Sequence, residues 1–176
     1  MSDNQLPKEV KNRLILWYLA VGDAHRAMVA EKKFWDTGTG NLEAEKTGLF
    51  LEAVSALQLK AVVLFCQVFN SGSGGTGIAG NKDKEVTNLR EKINSDAKNE
   101  LQNLGWSNEK YEETMGKIKK FRDKFTAHYD GNAAKYKEFQ GGGAMMQSPG
   151  LNFIRSERED VALFFQTWFK CLRKKL

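Results

Sequence analysis

The feature that most constrains this chain is an apolar repeat at helical spacing that recurs along most of its length. Val10, Leu14, Trp17, Val21, Ala24 and Met28 step by four and three residues, which places them on one face of an α-helix. Pro7 suits the first turn, where a missing N–H costs nothing, and the stripe runs to about Trp35 before Asp36-Thr-Gly-Thr-Gly40 breaks it. A second helix is predicted over 43–70, with Phe50, Val54, Leu57, Ala61, Leu64 and Val68 on its face. Leu51, Val62, Phe65 and Phe69 widen that face, so this helix should sit centrally. A third starts near Asp83, turns Val86, Leu89, Ile93 and Ala97 inward, and stops near Gly105. Ser107 or Asn108 can cap a fourth, whose stripe is Tyr111, Met115, Ile118, Arg122, Phe125 and Tyr129. Ser156-x-x-Glu159 reads as a capping box opening a fifth helix with Val161, Phe164, Phe165, Trp168 and Leu172 on one side. No stretch alternates convincingly as a strand. The expectation is an all-α antiparallel bundle of about five helices.

A length of 176 residues fits a single domain spanning 1–176. Such a chain buries enough surface to fold without a disulfide or metal staple. Glycine-rich segments near 71–82 and 130–155 read as flexible loops. Cys66 and Cys171 lie in apolar stretches with no C-x-x-C partner, as expected of buried free thiols in a reducing compartment. Two cysteines and two histidines argue against a Cys/His zinc cluster, and no metal or cofactor is expected. The start of the chain shows no basic segment followed by an apolar run. The most apolar stretch, Leu49 to Phe69, is interrupted by Glu52, Ser55, Gln58, Lys60 and Gln67, so it is not a membrane span. The expected location is the cytoplasm.

Two phosphate-binding patterns fail on context. Gly72-Ser-Gly-Gly-Thr-Gly77 has G-x-G-x-x-G spacing, but it follows a helix and not a strand. Gly75 to Gly80 has P-loop spacing, yet Asn81 stands where the lysine belongs. His25, beside Arg26 at the edge of the first stripe, reads as a structural, partly buried histidine.

Charge points to the second half of the chain. Residues 1–80 are neutral, with eight bases and eight acids, so the whole net charge of +5 lies in 81–176. Lys117, Lys119, Lys120, Arg122 and Lys124 surround only Asp123, and such a cluster suits a phosphate-bearing partner. Arg122 occupies the apolar stripe of its helix, between Ile118 and Phe125. A charge there needs a counter-ion or an interface, and the planar guanidinium fork suits phosphate. Lys117, Lys120, Lys124 and His128 step by three, four and four, a band of roughly 80° on that helix. It ends in a side chain that titrates near neutral pH, the residue type suited to general acid–base chemistry.

Arg122-Asp-Lys-Phe-Thr-Ala-His128 resembles the R-x(4–6)-H signature of the HEPN superfamily. Asp123 fills the polar place that often follows the arginine. The extended form through Asp130 is similar to that of abortive-infection-type HEPN proteins. The motif covers about nine residues; the helical layout extends the likeness loosely to most of the chain. The resemblance implies a homodimer in which motifs from both protomers share one cleft. It further implies metal-independent endoribonuclease activity in many members, commonly in toxin–antitoxin or phage-defence systems, and a binding or assembly role in inactive ones. On that basis Arg122, His128 and Asp123 are the candidate catalytic residues. Lys117, Lys120 and Lys124 are the candidate RNA contacts, and RNA and an antitoxin or defence protein are the expected partners. One departure stands out. Certain HEPN toxins carry a tyrosine two residues after the histidine, as a site of nucleotide modification; here Tyr129 follows His128 directly and Asp130 takes that place.

Overall fold

The computed structural model describes residues 6–36, 44–68, 83–129, 136–139, 143–146 and 155–176. Five helices carry the fold: α1 (Lys8–Asp36), α2 (Ala44–Gln67), α3 (Lys84–Asn103), α4 (Asn108–Tyr129) and α5 (Arg155–Arg173). Two short strands, β1 (Tyr136–Phe139) and β2 (Gly143–Met146), stand between α4 and α5. They pair antiparallel, with Tyr136 opposite Met146 and Phe139 opposite Gly143. The hairpin corrects the expectation of a continuous loop over 130–155. In Tyr136-Lys-Glu-Phe139 the aromatic residues stand three apart, so no period of two betrays a strand. The segment 71–82 lies outside the described residues.

Local chemistry sets the helix ends. The Pro7 carbonyl accepts the first helical bond of α1 from Lys11 N–H at 2.9 Å. Asp83 caps α3, its carboxylate accepting from the backbone N–H of Glu85 and Val86, which satisfies two donors that the helix leaves orphaned. At the other end Trp106 N–H reaches the Leu101 carbonyl at 3.0 Å and Gly105 N–H reaches that of Gln102 at 2.9 Å. This is a Schellman cap, and it needs a left-handed residue after the cap; Gly105 supplies it at φ +89°. Of the two candidates for the start of α4, Ser107 makes the cap, its hydroxyl accepting from Lys110 N–H. α5 starts at Arg155, so Ser156 lies inside its first turn, and the side chain of Ser156 lies outside the described residues.

The predicted stripes form the core. All six stripe residues of α1 are buried, as are Val54, Ala61 and Val68 of α2 and Val86, Ile93 and Ala97 of α3. On α5, Val161, Phe164, Phe165, Trp168 and Leu172 are buried. Phe65 of α2 stacks on Phe165 at 4.7 Å and meets Phe164 and Trp168 edge-on. Each such side chain contributes about 1.5–3 kcal/mol on leaving water. Cys66 and Cys171 are buried and free. Cross-helix pairs show antiparallel neighbours: Glu31 with Arg158 and Gly22 with Phe169 for α1 and α5, Lys98 with Glu112 for α3 and α4, Lys117 with Glu157 and Lys110 with Asp160 for α4 and α5. Among the described residues no helix is long and apolar enough to cross a membrane.

Candidate functional site

α4 carries every residue the sequence singled out for catalysis. Its inward face is Tyr111, Thr114, Met115, Ile118 and Phe121, so Phe121 takes the inward place and Arg122 moves to the edge. The Arg122 side chain keeps 27% of its exposure. Its Nε and Nη2 both donate to Asp123 Oδ1, at 2.8 and 2.6 Å. Asp123 is largely exposed, so the pair sits at the surface with an acid beside the guanidinium.

α4 is helical from Asn108 through Tyr129, so Arg122 and His128 stand on one unbroken helix. Six residues separate their backbones by about 9 Å along the axis and about 120° around it. The helix does not end between them. The side chains of Lys124 and His128 lie outside the described residues.

The band of Lys117, Lys120, Lys124 and His128 is centred roughly 160° around α4 from Arg122. Its members are differently occupied. Lys117 Nζ pairs with Glu113 at 2.8 Å and with Glu157 of α5 at 3.1 Å. The hydrogen bonds to Glu113 and then to Glu157 raise its pKa. To meet a phosphate, Lys117 must leave two carboxylates. Lys120 is exposed.

Arg122 looks instead toward the C-terminal end of α2. Burial pushes the Cys66 thiol up to about 11, and Arg122 and Lys119 are close enough to oppose that rise while Asp123 adds to it. Arg90 of α3 donates to the Val68 carbonyl at 3.3 Å. Three cations thus surround the last turn of α2, where the helix dipole favours positive charge.

A second polar centre escaped the sequence reading. Glu31 of α1 is 1% exposed, and its Oε1 accepts from Gln58 Nε2 of α2 at 2.9 Å and from Arg158 Nη1 of α5 at 3.0 Å. The signal was present: Glu31 continues the Ala24–Met28 stripe, and Gln58 follows Val54 by four residues. His25 is half-buried and stacks on Phe169 with centroids 6.2 Å apart. Burial, then Arg26 and Lys170, hold its pKa below the usual imidazole range, which fits a structural residue.

No family model, no curated protein and no solved structure matches this chain.

Proposed function

We propose that the chain is a metal-independent endoribonuclease of HEPN type that works as a dimer. The observation that carries this reading is the Arg122–Asp123 pair. A guanidinium held in a fixed direction stands at the surface of the helix that also bears His128. Its Asp123 partner is exposed, so the pair itself contributes at most about 1 kcal/mol to stability.

In this mechanism Arg122 binds the scissile phosphate and stabilises charge as it builds on the phosphorus oxygens. His128 acts as general base or acid while the adjacent RNA 2′-OH attacks. Asp123 orients the guanidinium. Because α4 runs straight through both positions, Arg122 meets the His128 of a second protomer, not its own. On the protomer that supplies His128, Lys120 and Lys124 hold flanking phosphates with salt-sensitive, sequence-independent affinity. The products end in a 2′,3′-cyclic phosphate, and chelators leave the rate unchanged. The physiological role is that of a toxin or phage-defence ribonuclease with an antitoxin or defence partner.

The second reading is a catalytically inactive helical dimer that binds RNA, a nucleotide or a partner protein with the same surface. The wide angle between Arg122 and His128 on one helix favours it, since one chain alone does not bring the two side chains to one phosphate. An assay with purified protein and a labelled RNA separates the two. Cleavage that survives EDTA and is lost in both Arg122→Ala and His128→Ala supports the nuclease; binding without cleavage supports the module.

A further inference from the structure

Arg122 belongs to a second face of α4, different from the lysine band. Tyr111, Glu112, Met115, Lys119 and Arg122 fall within about 100° on this helix. This face borders a groove of about 230 Å³ between α3 and α4, lined by Arg90, Asn94, Tyr111 and Lys119 together with the acids Glu91 and Glu112. Glu112 has a cation outside the lining, whereas the cation beside Glu91 is Arg90 itself. Glu112 pairs with Lys98 at 3.1 Å, and Glu91 acts on the adjacent Arg90, raising its pKa against the lowering effect of burial. The floor is polar and ordered, because the Tyr111 hydroxyl donates to Asn94 Oδ1 at 2.7 Å. At the far end of the groove, Arg90 and Lys119 approach the last turn of α2, beside Arg122.

The geometry points to an RNA-backbone track in the α3–α4 groove, with Lys119 and Arg90 as phosphate contacts continuous with Arg122. It rests on the reading of the substrate as RNA. Lys119 stands three residues before Arg122, so their β-carbons are about 5–6 Å apart on one face, close enough to hold neighbouring phosphates of one strand. Arg90 extends the line onto α3. Lys119 and Arg90 are the cations of a lining that also holds Glu91 and Glu112, and contact with the backbone is the usual way to hold a single strand without reading its sequence. The consequence is a division of labour on α4: the Lys119 side guides RNA to Arg122, while Lys117 on the opposite side ties α4 to α5.

The test uses the full chain carrying His128→Ala, so that RNA stays intact, and the anisotropy of a fluorescein-labelled single-stranded RNA across a potassium chloride series. Each phosphate contact adds about 0.7 to the slope of log affinity against log salt, roughly fivefold in affinity at 0.1 M relative to 1 M. Lys119→Ala is expected to lower the slope by about 0.7 and weaken binding about fivefold at 0.1 M, and Lys119→Glu to weaken it further. Arg90→Gln should act in the same direction, whereas Lys8→Ala, exposed at the start of α1, should leave binding unchanged. Lys119 is exposed, so its replacement leaves the fold intact. Unchanged affinity and slope in both Lys119 variants overturns the track, as does a parent protein that binds no RNA. If His128-bearing protein cleaves RNA while the Lys119 variants bind normally, the track falls and the nuclease stands. If RNA binds through Lys119 and is never cleaved, the nuclease falls and the track stands.

Discussion

Replacing Arg158 with methionine should destabilise the protein far more than an ordinary surface change. Glu31 is almost fully buried, and Arg158, whose side chain is only 14% exposed, lies 3.0 Å from its Oε1. Methionine removes this cation from a carboxylate that also accepts from the neutral Gln58 amide at 2.9 Å. Stripping one partner from a buried ion pair costs about 3–5 kcal/mol, because the remaining charge stays out of water without compensation. With a urea m-value of about 2 kcal/mol/M, the unfolding midpoint should fall by about 1.5–2.5 M. The triple variant Glu31→Leu, Gln58→Leu, Arg158→Met removes the charge and both groups that depend on it. It should recover to within about 2 kcal/mol of the native chain, since apolar replacement of a buried ionic group is often neutral or stabilising. Urea denaturation followed by circular dichroism reads all three proteins. A midpoint drop below about 0.5 M for Arg158→Met, or a triple variant less stable than the single one, refutes the claim that Glu31 depends on Arg158.

Two glycines should respond with opposite signs. A β-carbon at Gly22 would meet Phe169 Cε2 at 2.8 Å, and that ring is already stacked on Tyr18 at 4.7 Å; Gly22→Ala should cost about 1–3 kcal/mol. Gly116 has open space around it, so Gly116→Ala should stabilise by about 0.5–1 kcal/mol; thermal melts of the pair check both. For His25, whose folded pKa is lowered, the unfolded chain takes up a proton first as pH falls through 6.5. Stability should therefore decline as pH falls through about 6.5, and His25→Gln should lose that part of the slope; parallel slopes in the two proteins would count against it. Cys66, buried and raised to about 11, should resist iodoacetamide at pH 8 until urea unfolds the chain, and rapid labelling of native protein would contradict its placement.

The helices were legible because a face buried on one side writes its period into the sequence. The stripes of α1 and α5 are buried residue for residue. The start of α3 near Asp83 and a cap at Ser107 or Asn108 were legible because a polar side chain just before an apolar stripe can accept from the orphaned N–H groups of a helix. Partners across the fold were not. The sequence shows that Glu31, Gln58 and Arg122 sit on or beside buried stripes, but the partner of Glu31 lies 127 positions away at Arg158. Nothing in local spacing links them. The hairpin hid for a different reason: two four-residue strands are too short to establish a period. Lys117 shows the limit of charge counting. Its place in a basic band was legible, but its engagement with Glu157 of α5 depends on how two helices pack.

The proposed site needs Arg122 from one protomer and His128 from another, and mixing two inactive variants tests it directly. Arg122→Ala and His128→Ala should each abolish RNA cleavage. Unfolded together and refolded in equal amounts, they should form mixed dimers with one intact site each. With half of the dimers mixed and one of two sites intact in each, this restores roughly a quarter of native activity. A mixture as inactive as its components, or a His128→Ala protein that still cleaves, contradicts the account.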